Sequence, residues 1–149
     1  MRKLGRLSTG MIAAIAACAA MAGGAQAASA ATVNVSMTSR GRILVGENGF
    51  TLYTFTKDRK MQDNCVTIAG CTEVWPPLDV TGTPTAGSGV FRFLLSTTML
   101  PDGKKQVTYA GHPLYHYSGD HGPGETSYIG ALQFGGLWYG ERPFALPVL

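Results

Sequence analysis

The segment Gly49-Phe50-Thr51-Leu52-Tyr53-Thr54-Phe55-Thr56-Lys57-Asp58 returns 62 residues later as Gly111-His112-Pro113-Leu114-Tyr115-His116-Tyr117-Ser118-Gly119-Asp120. Both copies read Gly-x-x-Leu-Tyr-x-aromatic-x-x-Asp. Agreement at four fixed positions and one aromatic class marks an internal duplication. In a strand, residues two apart share a face. Tyr53 and Phe55 therefore point one way and Leu52 the other, and Tyr115, Tyr117 and Leu114 repeat the arrangement. A strand that is apolar on both faces is covered on both sides.

The flanking residues turn each copy into the centre of a hairpin. Arg42 to Gly46 reads as a strand and Glu47-Asn48-Gly49 as its turn, because Asn-Gly accepts positive φ at both residues. Phe50 to Thr56 is the returning strand. In the second half, Phe91 to Thr97 reads as a strand, Pro101-Asp102-Gly103 as a turn, and Lys105 to Ala110 with Pro113 to Tyr117 as a hairpin around Gly111. A last aromatic strand is expected near Leu137-Trp138-Tyr139. Trp75-Pro76-Pro77-Leu78 excludes regular helix, and only Cys71 to Trp75 invites a short helical turn. The expected fold is all-β, a compact sandwich or barrel-like domain of two hairpin-centred repeats. Repeat one covers about 42–78, a Thr/Pro/Gly/Ser linker about 79–90, and repeat two about 91–142, within a β-domain of 42–149.

Residues 1–27 read as a signal peptide: basic Arg2, Lys3 and Arg6, an apolar Met11 to Ala22, and an Ala25-Gln26-Ala27 cleavage pattern. The apolar stretch is shorter than the about 20 residues a membrane helix needs. Ile15-Ala16-Ala17-Cys18 is a competing lipobox, so the chain is either cut after Ala27 or lipidated on Cys18. Small and polar residues 28–41 read as a flexible lead-in. Three of the twelve basic residues belong to the leader, and the other nine balance nine acidic ones. The domain then carries no basic footprint for nucleic acid.

Tyr53-Thr54-Phe55-x-x-Asp58 and Tyr115-His116-Tyr117-x-x-Asp120 resemble the Y-x-[FWY]-x-x-D signature of a bacterial family of predicted lipoproteins, described as a secreted repeat of unknown function. Cys71-x-x-x-Trp75-Pro76-Pro77-Leu78, Gln106-Val107-Thr108-Tyr109 and Trp138-Tyr139 extend the likeness over most of Arg42 to Glu141. The resemblance implies an exported envelope protein, often lipid-anchored, without an established activity.

Cys65 and Cys71, an even pair in an exported chain, read as a disulfide. The motif aromatics read as core, with a stacking platform for a planar ligand as the sharper alternative. Asp58 and Asp120 read as turn-closing residues that accept backbone N–H bonds. His112, His116 and His121 invite a copper or zinc site, although His112 and His116 lie about 13 Å apart along an extended chain. No nucleophile elbow, phosphate loop or His-Glu-x-x-His pattern is present. The expected function is that of a periplasmic or envelope protein binding a small ligand or another envelope protein, without catalysis or cofactor. Membrane contact is expected only through an N-terminal lipid. A copper- or zinc-binding or redox accessory is the alternative.

Overall fold

A computed structural model describes residues 30–144 and 147–148, so the expected leader and Cys18 lie outside the described residues. The strands are β1 (Thr32–Thr38), β2 (Gly41–Val45), β3 (Tyr53–Phe55), β4 (Asp79–Val80), β5 (Thr85–Ala86), β6 (Leu95–Met99), β7 (Lys105–Tyr109), β8 (His112–Pro113), β9 (Leu132–Gln133), β10 (Gly136–Glu141) and β11 (Pro147–Val148). Among the described residues, helix is confined to α1 (Cys71–Val74) and two 3-10 turns, Cys65–Thr67 and Arg92–Leu94. The strands form three small sheets, ordered β2-β1-β5, β11-β10-β3 with β9 on β10, and β4-β7-β6 with β8 on β7. The all-β expectation holds, and the sheets do not close into a barrel.

The two repeats interlock. Tyr53 and Tyr115 lie opposite one another as an antiparallel bridge and exchange both backbone hydrogen bonds, each 2.9 Å. Each central segment then pairs outward with the other repeat. Thr56 donates to the Leu137 carbonyl at 3.0 Å, and Ser118 to the Val74 carbonyl at 2.9 Å. Glu141 donates to Leu52 and Leu78 donates to Leu114. These matched pairs define a pseudo-twofold axis between Tyr53 and Tyr115. They also align Val74 to Leu78 with Leu137 to Glu141, at a spacing of 63 residues.

The central strands divide two cores. Ile43, Val45, Tyr53, Phe55 and Tyr115 face one, with both tryptophans and the two cysteines. Leu44, Leu52 and Leu114 face the other, with Val33, Val80, Val107 and Tyr109. The alternation of Tyr and Leu read from the motif thus assigns its residues to opposite cores.

Three local expectations need correction. The lead-in read as flexible contains β1, which pairs with β2 over five positions; Val33 is buried and anchors it. The strand expected from Phe91 starts only at Leu95, because Phe91 to Leu94 make a 3-10 turn first. In the first hairpin only Gly49 takes positive φ and Asn48 does not. Its turn closes through Gly49 N–H on the Gly46 carbonyl at 3.0 Å. The two-residue turn with both φ positive is instead Ala110-Gly111, at 50° and 87°. The linker is not free of strands either, since it holds β4 and β5.

Cys65 and Cys71 are bonded and both buried beside Trp75. Closing a loop this short contributes about 2 kcal/mol in the chain-entropy view. Reduction under native conditions is expected to lower the urea midpoint by that equivalent without unfolding the domain. A midpoint unmoved by reductant would show that packing around Cys71 alone holds the corner.

Candidate functional site

The signature residues satisfy one another across the axis. The Tyr53 hydroxyl donates to Asp120 (3.0 Å to Oδ2), and the Tyr115 hydroxyl donates to Asp58 Oδ2 at 2.7 Å. Each aspartate therefore caps the tyrosine of the opposite repeat, which accounts physically for the Tyr-x-aromatic-x-x-Asp spacing. The turn that presents each aspartate is closed by its own N–H on the carbonyl of Phe55 or Tyr117. The acceptor role read from sequence applies to Asp58, which takes backbone N–H bonds from Asn64, at 2.8 Å, and Cys65. The Tyr115 phenol is a further partner, which the sequence did not reveal.

The aromatic rings obey the same symmetry. Trp75 and Trp138 stack across the axis at 3.9 Å and 3°. Phe55 stacks on Trp138 at 4.2 Å, and Tyr117 lies over Trp75 at 4.5 Å. Tyr53 and Tyr115 meet Trp75 and Trp138 edge-on, each at 5.1 Å. The ligand platform expected as an alternative is therefore not what Tyr53, Phe55, Tyr115 and Tyr117 form. Tyr53 and Tyr115 are fully buried, and the stacked faces are spent on one another.

The three histidines are also separated by their surroundings. His112 Nδ1 lies 3.1 Å from Glu141 Oε2. The ring of His116 packs over Gly46, 3.1 Å from where a Cβ would stand. His121 is in an exposed loop, its N–H bonded to Glu125. Among the described residues no group of three or more His, Cys, Asp or Glu converges as metal ligands.

A cleft of about 380 Å³ opens beside the axis, lined by Thr54, Thr56, Asp58, Arg59, Lys60, His112 and Tyr139 among others. Its rim is fixed by the Ala110-Gly111 turn. The Gly111 carbonyl accepts Met61 N–H at 2.7 Å, and Lys60 lies over the glycine, its Cγ 2.7 Å from where a Cβ would sit. Glycine is needed there both for its φ and for this close approach. Arg59 and Lys60 are exposed, and among the described residues neither has a carboxylate within ion-pair distance.

A second cleft, of about 400 Å³, shares three of these positions in the other repeat, at Asn48, Phe50 and His116, and Leu78 also lines it. Phe50 occupies the place of His112, and Leu78 that of Glu141. Only one cleft is thus backed by a histidine–glutamate pair. Glu141 is 0% exposed and its Oε1 has no hydrogen-bond partner among the described residues, an expensive state for a carboxylate. Glu141, Arg59, Lys60 and Tyr139 escaped the sequence reading, which sought likeness between repeats. The signal was the departure: His and Glu in one copy at positions that are Phe and Leu in the other.

Electrostatics at the axis give a single sign near neutral pH. Desolvation pushes Asp58 up to about 7 and Asp120 up to about 6, tyrosine bonding opposing it. The hydrogen bond to Glu141 raises His112, burial opposing. All three groups bind protons more tightly in the folded state, so their contribution is lost as pH rises through the folded values. Burial lowers His116, which works the other way, but only below about pH 6.5, where the unfolded chain takes up that proton. Between about pH 6.5 and 8 the thermal midpoint is therefore expected to fall by a few degrees, and Asp58→Asn to flatten the slope. A midpoint rising across that window would contradict the assignment.

A family model described as a secreted repeat of unknown function matches residues 34–79 and again 96–139. The two matched spans are the two halves related by the axis. No curated protein and no solved structure matches the chain.

Proposed function

We propose, from the premise that this chain belongs to the family described as a secreted repeat of unknown function, that it is a non-catalytic binding module of the cell envelope. Its ligand seat is the cleft at Arg59, Lys60 and His112, and the ligand is a small molecule carrying a carboxylate or phosphate. One observation carries this reading: each repeat has a cleft at the position of His112 or its counterpart Phe50, and only the His112 cleft is backed by a buried glutamate. A feature that folding can do without, judged by Phe50 and Leu78 in the other copy, is best accounted for by what it holds.

The chemistry supports an anion. Arg59 and Lys60 offer unpaired cationic heads, and Arg matches carboxylate and phosphate oxygens in a two-point grip. Thr54, Thr56 and Tyr139 add hydroxyls. Asp58, near its midpoint at neutral pH, can donate as a carboxylic acid when protonated. No nucleophile with an adjacent base lines the cleft, which favours binding over turnover.

Calorimetric titration of the exported protein with inorganic phosphate and with succinate tests the proposal. Binding tighter than about 1 mM to either, weakened at least tenfold by Arg59→Ala with Lys60→Ala, is the expected result; tenfold corresponds to about 1.4 kcal/mol. No binding of either probe, binding indifferent to the double substitution, or conversion of a bound probe into product would overturn it.

A further inference from the structure

The two clefts do not account for a third surface, which lies outside both spans matched by the family model. Phe91, Phe93 and Phe144 are exposed by 36%, 83% and 65%. Their rings nonetheless meet: Phe91 lies 5.7 Å from Phe93 and 5.4 Å from Phe144. Two separate stretches of chain supply them, Phe91-Arg92-Phe93 and Arg142-Pro143-Phe144, and both stand beyond the matched spans 34–79 and 96–139.

The shelf is held in place from beneath. The buried Tyr109 hydroxyl accepts the Phe91 N–H at 3.1 Å and donates to the Pro143 carbonyl at 2.8 Å. One phenol therefore ties the two stretches together. Leu94 N–H closes the 3-10 turn on the Phe91 carbonyl at 3.0 Å, and Ala110 N–H holds the Leu94 carbonyl at 2.8 Å. A cluster of exposed aromatics on a fixed backbone marks a contact surface rather than a fraying end.

Charge selects the occupant. Each stretch interleaves phenylalanine with an exposed arginine, Arg92 or Arg142, and among the described residues neither arginine has a carboxylate within ion-pair distance. Apolar rings beside unpaired guanidinium groups suit an interface that is hydrocarbon below and anionic above. That is the boundary layer of an acidic lipid membrane. We propose that this shelf rests on an anionic bilayer, with Phe93 and Phe144 inserted among the acyl chains and Arg92 and Arg142 at the phosphates. The domain would then be oriented on the membrane independently of any lipid at its N-terminus.

The test is co-sedimentation of the exported protein with vesicles of equal phosphatidylglycerol and phosphatidylcholine, and with vesicles of phosphatidylcholine alone. Every chain carries Cys18→Ser, so that no acyl group there contributes. Partition into the anionic vesicles is expected to exceed that into neutral ones by about tenfold or more, and to fall in 0.5 M salt as screening shortens the electrostatic reach. Phe93→Ser with Phe144→Ser should lower partition at least about tenfold from the apolar area withheld. Arg92→Gln with Arg142→Gln should bring it down towards the neutral-vesicle value. All four side chains are exposed, so each variant should keep its thermal midpoint, which is measured alongside. No partition at millimolar anionic lipid, or partition unchanged by both double substitutions, would overturn the proposal. So would a dimer in solution that the phenylalanine substitutions dissolve, which would make a second copy the occupant.

Discussion

Trp75→Ala is expected to remove about 3–5 kcal/mol of stability, the range for truncating a fully buried large aromatic. Domains of this size carry about 5–15 kcal/mol in total, so the variant should be partly unfolded at physiological temperature. Trp75 is the centre of the aromatic column: it stacks on Trp138, lies beneath Tyr117 and receives the edge of Tyr53. Trp138→Ala should cost a similar amount. The two losses should not add, because both remove the stack across the axis; the double variant is expected to fall short of the sum by about 0.5–1.5 kcal/mol. Phenylalanine separates the two sites further. Trp75 Nε1 donates to Gln133 Oε1 at 2.8 Å, whereas the buried Trp138 Nε1 has no partner among the described residues. Trp75→Phe loses a hydrogen bond, and Trp138→Phe loses an unsatisfied donor. Urea denaturation should therefore rank Trp75→Phe as the more destabilising, by about 1 kcal/mol. The reverse order would mean that the indole nitrogens are not distinguished as described.

The sequence showed that the column's parts recur, but not that they cross over. The Gly-x-x-Leu-Tyr repeat announced two copies, and the period-two alternation sorted Leu52 from Tyr53 and Leu114 from Tyr115 into what became separate cores. Strand pairing between copies was out of reach, since the register of Tyr53 on Tyr115 is a long-range fact with no local signature. The same limit hid the partners of Asp58 and Asp120. Within one copy each aspartate is only three residues past an aromatic, and a turn is the sensible local reading; the phenol it accepts from is 57 or 67 residues away. β1 was misread because Thr32 to Thr38 is small and polar in composition, and its place rests on Val33 and on a partner, β2, that composition does not reveal. The cleft was hidden for another reason. A duplication draws attention to what is shared, whereas His112 and Glu141 matter through their difference from Phe50 and Leu78.

That difference leads to the second large effect. His112→Phe combined with Glu141→Leu would give the charged cleft the residues already present in its twin. If the pair were a structural necessity, the change would destabilise the fold. The buried position of Glu141 argues otherwise, because replacing a buried ionic pair by well-packed apolar side chains is often stabilising, by about 1–4 kcal/mol. The half-exposed His112 places the expected gain near the lower end, about 1 kcal/mol. His112→Ala alone should do the opposite. It leaves a fully buried carboxyl group without its only side-chain partner among the described residues, at about 3 kcal/mol. Opposite signs from two changes at one site are readily read in denaturant midpoints. The stabilised double variant should also lose at least tenfold in affinity for whichever anion the native cleft takes, because the imidazole and the buried carboxyl group that holds it are gone. A double variant that is more stable and still binds would detach the pair from the ligand. One that is less stable would show that the two halves differ here because the fold requires it. Gain of stability with loss of binding is the combination expected of a site where the chain gives up stability to hold a ligand.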